Sequence, residues 1–162
     1  MKTRVTRIGV ISDTHGLMRP EALAALAGVS HIVHAGDVGS AEVLAALGNI
    51  APVTAVRGNN DTAAWARKLP LTDVLEVAGH TLYVLHDIAD LDLDPAAAGF
   101  AAIIAGHSHK PSAVTKDGVL FMNPGSAGPR RFKLPVTVGL LHVGRTGINA
   151  EIQELKLPRP RE

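Results

Sequence analysis

The chain has 162 residues, a formal net charge of +1 from 16 Lys and Arg against 15 Asp and Glu, and 46% hydrophobic residues. That length suits a single domain spanning 1–162, with enough chain for a real core. The absence of cysteine excludes disulfides, thiolate metal sites and cysteine nucleophiles, while near-balanced charge and 3% aromatic content argue against a nucleic-acid surface.

The N-terminus, Met1-Lys2-Thr3-Arg4, is charged and does not read as a signal peptide. No apolar stretch approaches the roughly 20 residues of a membrane span, so a cytoplasmic protein without membrane contact is expected. Residues 4–12 read as a strand. Residues 20–26 read as an Ala/Leu-rich helix with Pro20 in its first turn. A strand over 31–35 follows. Ser40 is placed to cap a helix over 41–47 that Gly48-Asn49 closes, and 53–56 is a third strand. This βαβαβ order implies a parallel sheet. The second half turns antiparallel. Strands over 73–77 and 81–85 flank Ala78-Gly79-His80, and 94–98 read as a short capped helix after Asp94. A strand over 101–105 comes next. Strands over 113–116 and 119–122 flank Asp117-Gly118, a strong hairpin signal. Strands over 136–143 and 148–155 flank a turn at 144–147, and 157–162 is expected to fray. Two packed sheets with helices outside accommodate both halves.

Polar clusters follow five of these strands: Asp13-x-His15, Gly36-Asp37, Gly58-Asn59, His86 and Gly106-His107-x-His109. Ligands bind in α/β sheets beyond the carboxyl ends of the strands, so the clusters are expected at one rim. Singly, each has an ordinary reading. Asp13 could start a turn, Gly36-Asp37 could be a βα turn, and Gly58-Asn59-Asn60-Asp61 is a turn signature with Asp61 suited to cap a helix over 62–67. In extended backbone His107 and His109 would point to the same side. Together the clusters supply four imidazoles, two carboxylates and one amide, enough to hold two metal ions with a bridging Asp37 and room for water. His31, His80 and His142 have no partner motif and read as surface or packing residues. His34 reads as core packing or as a support for the site.

These clusters, in this order and joined by Asn123-Pro124-Gly125-Ser126, resemble the calcineurin-like metallophosphoesterases, and within them the small YfcE-type phosphodiesterases of bacteria and archaea. The resemblance runs from Ile8 to about Arg131. It implies an α/β fold of two mixed β-sheets packed as a sandwich with helices on the outer faces. It also implies that Asp13, His15, Asp37 and His109 hold one ion, and that Asp37, Asn59, His86 and His107 hold the second. Two positions depart from the wider pattern. Asn60 stands where most of the superfamily has a histidine, and His86-Asp87, with Asp90, Asp92 and Asp94 beyond it, replaces the usual His-Gly.

The expected activity is hydrolysis of phosphodiester bonds by a hydroxide bridging two divalent ions, with Asp37 and Asn60 as catalytic residues. Mn²⁺ is preferred by resemblance, and the sulfur-free donor set also suits Fe²⁺, Zn²⁺, Co²⁺ or Ni²⁺. Asn60, Asn123, Ser126 and Arg130 are candidate substrate contacts. For Arg130 and Arg131 solvated loop charges are the plainer reading, and Asn123 and Ser126 could instead build a supporting turn. The expected partner is a small phosphodiester. Nucleic acid is disfavoured, and a homo-oligomer is left open. The competing reading is a scaffold similar to the retromer subunit of this fold, with little or no turnover.

Overall fold

The computed structural model describes residues 5–131 and 133–158. Arg4, with which the expected first strand began, and 159–162 of the expected tail lie outside them. In chain order the elements are β1 (Thr6–Ile11), α1 (Pro20–Ala25), β2 (His31–His34), α2 (Ala41–Gly48), β3 (Val53–Ala55), β4 (Thr72–Val77), β5 (His80–Leu85), β6 (Ala102–Ile104), β7 (Ser112–Lys116), β8 (Val119–Asn123), β9 (Thr137–Gly144) and β10 (Gly147–Glu154). They form two five-stranded mixed sheets, ordered β10-β9-β1-β2-β3 and β4-β5-β6-β8-β7.

Each sheet has a parallel centre. β1, β2 and β3 are parallel in the first, with β9 antiparallel to β1. The antiparallel second half expected from the sequence is corrected in part: β5, β6 and β8 are parallel at the centre of the second sheet, and only its edges, β4 and β7, are antiparallel to them. The hairpins turn at Ala78-Gly79 and Asp117-Gly118, where the first residue of each pair has φ of 51° and 52° and a following glycine relieves the strain. Ile8, Val10, Val33, Leu82, Val84, Ile104 and Leu141 form the core between the sheets. Alternation along the same strands sends Ile11, Ile32, Val138 and Leu140 to the opposite face, where α1 and α2 cover them with Ala22, Leu26, Val43 and Leu47. The outer face of the second sheet carries no α-helix among the described residues, only a 3₁₀ turn at Ile88–Asp90 beside it. Ile103, Ala105 and Phe121 lie there beneath Leu91 and Phe100 of the loop after β5.

Three local expectations are corrected. Asp61 does not cap a helix over 62–67, because that stretch holds only a short 3₁₀ segment, Ala64–Lys68, that starts from Ala63 without a side-chain cap. Gly48 lies inside α2, which ends at Asn49 in right-handed conformation (φ −72°), and Ser40 stands at the N-cap without a side-chain bond. Residues 94–98 make a single turn in which Asp94 accepts from the Ala96 and Ala97 amides. A helix needs several turns of packing to repay nucleation, and this loop is exposed. No helix among the described residues is long and apolar enough to cross a membrane.

Candidate metal centre

The parallel strands of both sheets end at one rim, and the polar clusters meet there. The register Ile11↔His34↔Ala55 aligns the ends of β1, β2 and β3. The loops then continue the pairing, with the Asp13 amide donating to Gly36 O at 3.0 Å and the His15 amide to Asp37 O at 3.0 Å. From the second sheet, the Gly106 amide donates to His86 O at 2.9 Å, joining the ends of β5 and β6.

Asp13, His15, Asp37, His107 and His109 all have positive φ, between 48° and 72°. The described residues hold only two other such non-glycine positions, both in hairpin turns. Backbone strain of this kind costs on the order of 1 kcal/mol or more per residue and persists where surrounding contacts over-determine it, often at functional sites. His107 and His109 therefore do not sit in the extended backbone that their spacing suggested; each occupies a left-handed position.

Asp13 is the centre of the cluster. Its Oδ2 accepts from Ser12 Oγ at 2.6 Å and from the His107 amide at 3.0 Å. Its Oδ1 lies 3.3 Å from His109 Nε2 and 3.9 Å from both His15 Nε2 and His86 Nε2. Asp37 Oδ2 is 3.3 Å from His86 Nε2 and 3.8 Å from His15 Nε2. Two overlapping groups result that could each hold a cation, Asp13–His15–His109 and Asp13–Asp37–His86. Asp13 is common to both, whereas the resemblance gave the shared position to Asp37. His107 belongs to neither group. Its Nδ1 lies 3.3 Å from His86 Nε2, and its Nε2 lies 3.6 Å from Asp87 Oδ2. Asn59 is exposed and lines the adjoining cleft with His86 and His107.

Four buried side-chain polar atoms lack a hydrogen-bond partner among the described residues, and three are here: Asp13 Oδ1, His15 Nε2 and His109 Nδ1. Buried polar atoms are rarely left so, since each costs about 1–3 kcal/mol. Asp13 Oδ1 and His15 Nε2 converge with His109 Nε2, and this sulfur-free donor set fits divalent metal ions.

The electrostatics agree. Burial opposes the Asp37 carboxylate, but hydrogen bonds from His86 and Asn60 outweigh it and hold the group below the ordinary carboxylate range. For His86 burial disfavours a proton, yet the Asp37 hydrogen bond, the Ala35 carbonyl and the Asp13 charge together raise its pKa. Its Nδ1 donates to Ala35 O at 2.7 Å, which leaves Nε2 aimed at the carboxylates. Carboxylates that draw a proton to Nε2 draw a metal cation there equally. Burial lowers the pKa of His109, with Arg131 acting in the same direction against Asp13, and so favours the neutral imidazole that ligates metals.

The supporting shell is dense. Asn60 donates from its backbone to Asp37 Oδ1 at 2.9 Å and from Nδ2 to Oδ2 at 3.0 Å. Asp61 gathers three amides: Oδ2 accepts from Gly58 at 2.9 Å and Val38 at 3.1 Å, and Oδ1 from Gly39 at 3.0 Å. It thus ties the loop after β3 to the loop carrying Asp37. Gly58 is required by close approach, because a Cβ there would strike the Asp37 carboxylate and amide. Asn123 Nδ2 donates to Gly106 O at 3.0 Å and Ser108 Oγ at 3.1 Å, and Ser126 Oγ donates to Asp13 O at 3.0 Å. Both side chains are engaged in bracing the ligand loops. Arg130 turns its Nε to Leu134 O at 3.2 Å, toward a separate surface hollow near Glu154. The sequence reading missed the roles of Ser12 and Asp61; Ser12 had at least the signal of adjacency to Asp13.

His34 is fully buried. Its Nδ1 accepts from the Gly36 amide at 3.1 Å, so Nε2 carries the hydrogen toward Thr14 Oγ1 at 3.0 Å, and Thr14 in turn donates to Val38 O at 2.8 Å. Burial, reinforced by the His86 charge, depresses its pKa to about 3. The folded protein keeps His34 neutral down to that pH, whereas the unfolded chain takes up a proton near 6.5. The stabilising contribution is therefore complete above 6.5 and lost as pH falls from 6.5 toward 3, at up to about 1.4 kcal/mol per pH unit. Urea unfolding of the metal-free protein at pH 7 and 5 should show this loss, and His34→Leu should flatten it; an unchanged slope in the variant would refute the assignment. His31, His80 and His142 sit away from the site, on Thr54 Oγ1, Gly144 O and Glu151 respectively.

The family model of the calcineurin-like phosphoesterase superfamily domain matches residues 6–146. A protein described as a probable metallophosphoesterase, from Methanothermobacter thermautotrophicus, is 32% identical over 157 residues, with 90% of each chain covered. Among solved structures, one described as a novel archaeal phosphodiesterase matches with a TM-score of 0.76 at 23% identity, covering 91% of this chain and all of that one. Vacuolar Protein Sorting 29 from Cryptosporidium parvum matches with a TM-score of 0.75 at 19% identity, covering 94% and 99%.

Proposed function

The chain belongs to the calcineurin-like phosphoesterase superfamily, and on that premise we propose that it hydrolyses phosphodiester bonds at a centre of two divalent metal ions. The observation that carries this reading is Asp13 Oδ1, buried, without a hydrogen bond, and ringed by three imidazoles. Asp13, His15, Asp37 and His109 would hold one ion, and Asp37, Asn59, His86 and His107 the second. Bound there, the ions would supply Lewis acidity toward phosphoryl oxygens and a nucleophile at neutral pH.

The chain's own residues do the rest. Asn60 clamps Asp37 through both carboxylate oxygens and so fixes the carboxylate's angle. The Ala35 carbonyl fixes the His86 ring, and Ser12 with the His107 amide fixes Asp13. An amide cannot release a proton at physiological pH, so Asn60 gives the leaving oxygen no acid. Loss of a general acid typically costs about 10²–10⁴ in rate, least where the leaving group is a weak base. Aryl diesters should therefore turn over faster than alkyl diesters, and Asn60→His should raise turnover of alkyl diesters selectively. A uniform change across leaving groups would count against this role for Asn60.

The fold is shared with Vacuolar Protein Sorting 29, so fold alone does not choose between enzyme and scaffold. The deciding experiment is metal analysis together with a screen of the Mn²⁺-loaded protein against mono-, di- and cyclic phosphoesters, with Asp37→Asn as control. Tight metal binding without turnover of any ester would favour the scaffold, and a preference for monoesters would overturn the diesterase.

A further inference from the structure

Two hollows share the His107–Asp87 pair in their linings. The smaller, of about 180 Å³, lies on the outer face of the second sheet, which no α-helix among the described residues covers. Its floor is Ile103 and Phe121, register partners on β6 and β8. Ile88 forms a wall and Ser112 part of the rim. Its lip is Gly106–Ser108, the loop that carries His107 toward the metal centre. The larger hollow, of about 570 Å³, contains Arg57 and Asn59 together with Asp87, Asp90 and Asp92.

A phosphodiester has two arms, and a phosphorus held beside His107, the candidate ligand common to both linings, can send one into each hollow. We infer that the smaller pocket holds one uncharged, apolar, ring-sized ester arm of the substrate. This rests on the diesterase reading above and deepens it. Size supports it, since an apolar cavity of about 150 Å³ suffices to bind benzene, and 180 Å³ is too small for a nucleoside. Polarity supports it as well. No Lys or Arg lines the pocket and Asp87 stands at its mouth, so an arm bearing a second phosphate is disfavoured. The larger cleft repels polyanions too, with three carboxylates against a single Arg57. Ile88 is 47% exposed although it faces this apolar wall, and a ring seated in the pocket would cover it. The substrate class is thus a monoanionic diester with an aromatic or compact branched arm, and neither a nucleotide chain nor a polyphosphate.

The test compares two phosphonate probes that differ only in the ring, methyl phenylphosphonate and methyl methylphosphonate, binding to the Mn²⁺-loaded protein by calorimetry. Burying most of a ring should make the phenyl probe about tenfold tighter. Ser112→Phe, on the exposed edge strand, fills the mouth and should bring the affinity ratio near one with the smaller probe still bound. Ile88→Ala should cut the ratio by about threefold through lost apolar contact. Equal affinities in the wild type, or a ratio that survives both substitutions, would overturn the arm assignment while leaving the diesterase standing. If neither probe binds and no phosphoester is hydrolysed, the diesterase reading itself falls, and the arm assignment with it.

Discussion

Replacing Asp13 by Asn should abolish stabilisation by divalent metal and lower phosphoesterase activity by at least about 10³-fold, while the metal-free variant folds as stably as the wild type or more so. The sign of the stability change is the informative part. Asp13 Oδ2 already has two donors, so the Asn carbonyl can take that position and keep the Ser12 and His107 bonds. The amide nitrogen then replaces Oδ1, the atom with no hydrogen-bond partner. A buried carboxylate charge with one oxygen left unpaired is costly without a cation, and its removal should raise the metal-free melting temperature by a few degrees, about 2–4 °C per kcal/mol at this chain length. Wild type should gain stability with metal concentration as mass action requires; the variant should gain none. Thermal melts with and without Mn²⁺, alongside the diester assay, read both effects. A variant that still melts higher with metal, or that is strongly destabilised without it, would show that Asp13 is a structural carboxylate and not the heart of a metal centre.

Asp61→Ala should cost about 3–5 kcal/mol, because the amides of Val38, Gly39 and Gly58 lose their acceptor together and the two buried ones, Val38 and Gly58, cost about 1–3 kcal/mol each when orphaned. The damage should extend to metal affinity, since those amides flank Asp37 and Asn59. Asp61→Asn keeps one acceptor oxygen and should recover part of the stability. Urea denaturation of all three proteins measures the ladder. If the alanine variant loses less than 1 kcal/mol, roughly the worth of an ordinary helix cap, Asp61 is not the tie between the two loops.

Much of the fold was legible because its signals are local. Asp117-Gly118 announces a two-residue turn through the backbone conformations it permits, while the connection read as Ala78-Gly79-His80 is one residue shorter because His80 pairs with Val77. The apolar runs before Asp13, Asp37, His86 and His107 are buried strands, as their short length and β-branched content suggested. For the strands before Asp13 and Asp37, the parallel order read from the sequence required the following polar residues to share a rim; for those before His86 and His107, read as part of an antiparallel half, the parallel order came only from the structure. Five of the seven candidate ligands meet in two overlapping groups for that reason.

Other features depended on partners distant in the chain. Asp61 resembled a helix cap because residues 62–67 resemble a helix start; its real partners lie in the loop after β2 as well as in its own. Asn123 and Ser126 could face a phosphate or brace a loop equally well on sequence grounds. Their bonds to Gly106 and Asp13, 17 and 113 residues away, committed them to bracing. Asp87 looked out of place beside an anion until it appeared between two hollows, against His107.

The sequence by itself determined which donors the chain can offer a metal and the strand ends from which they are offered, because residue type and strand periodicity are properties of short stretches. Only the tertiary structure decided that Asp13 sits in both groups, that His107 and His109 occupy left-handed positions, and that no α-helix among the described residues covers the outer face of the second sheet. Each of these depends on how far apart two segments come to rest after the sheets pack, a distance set by the whole core and written in no single segment.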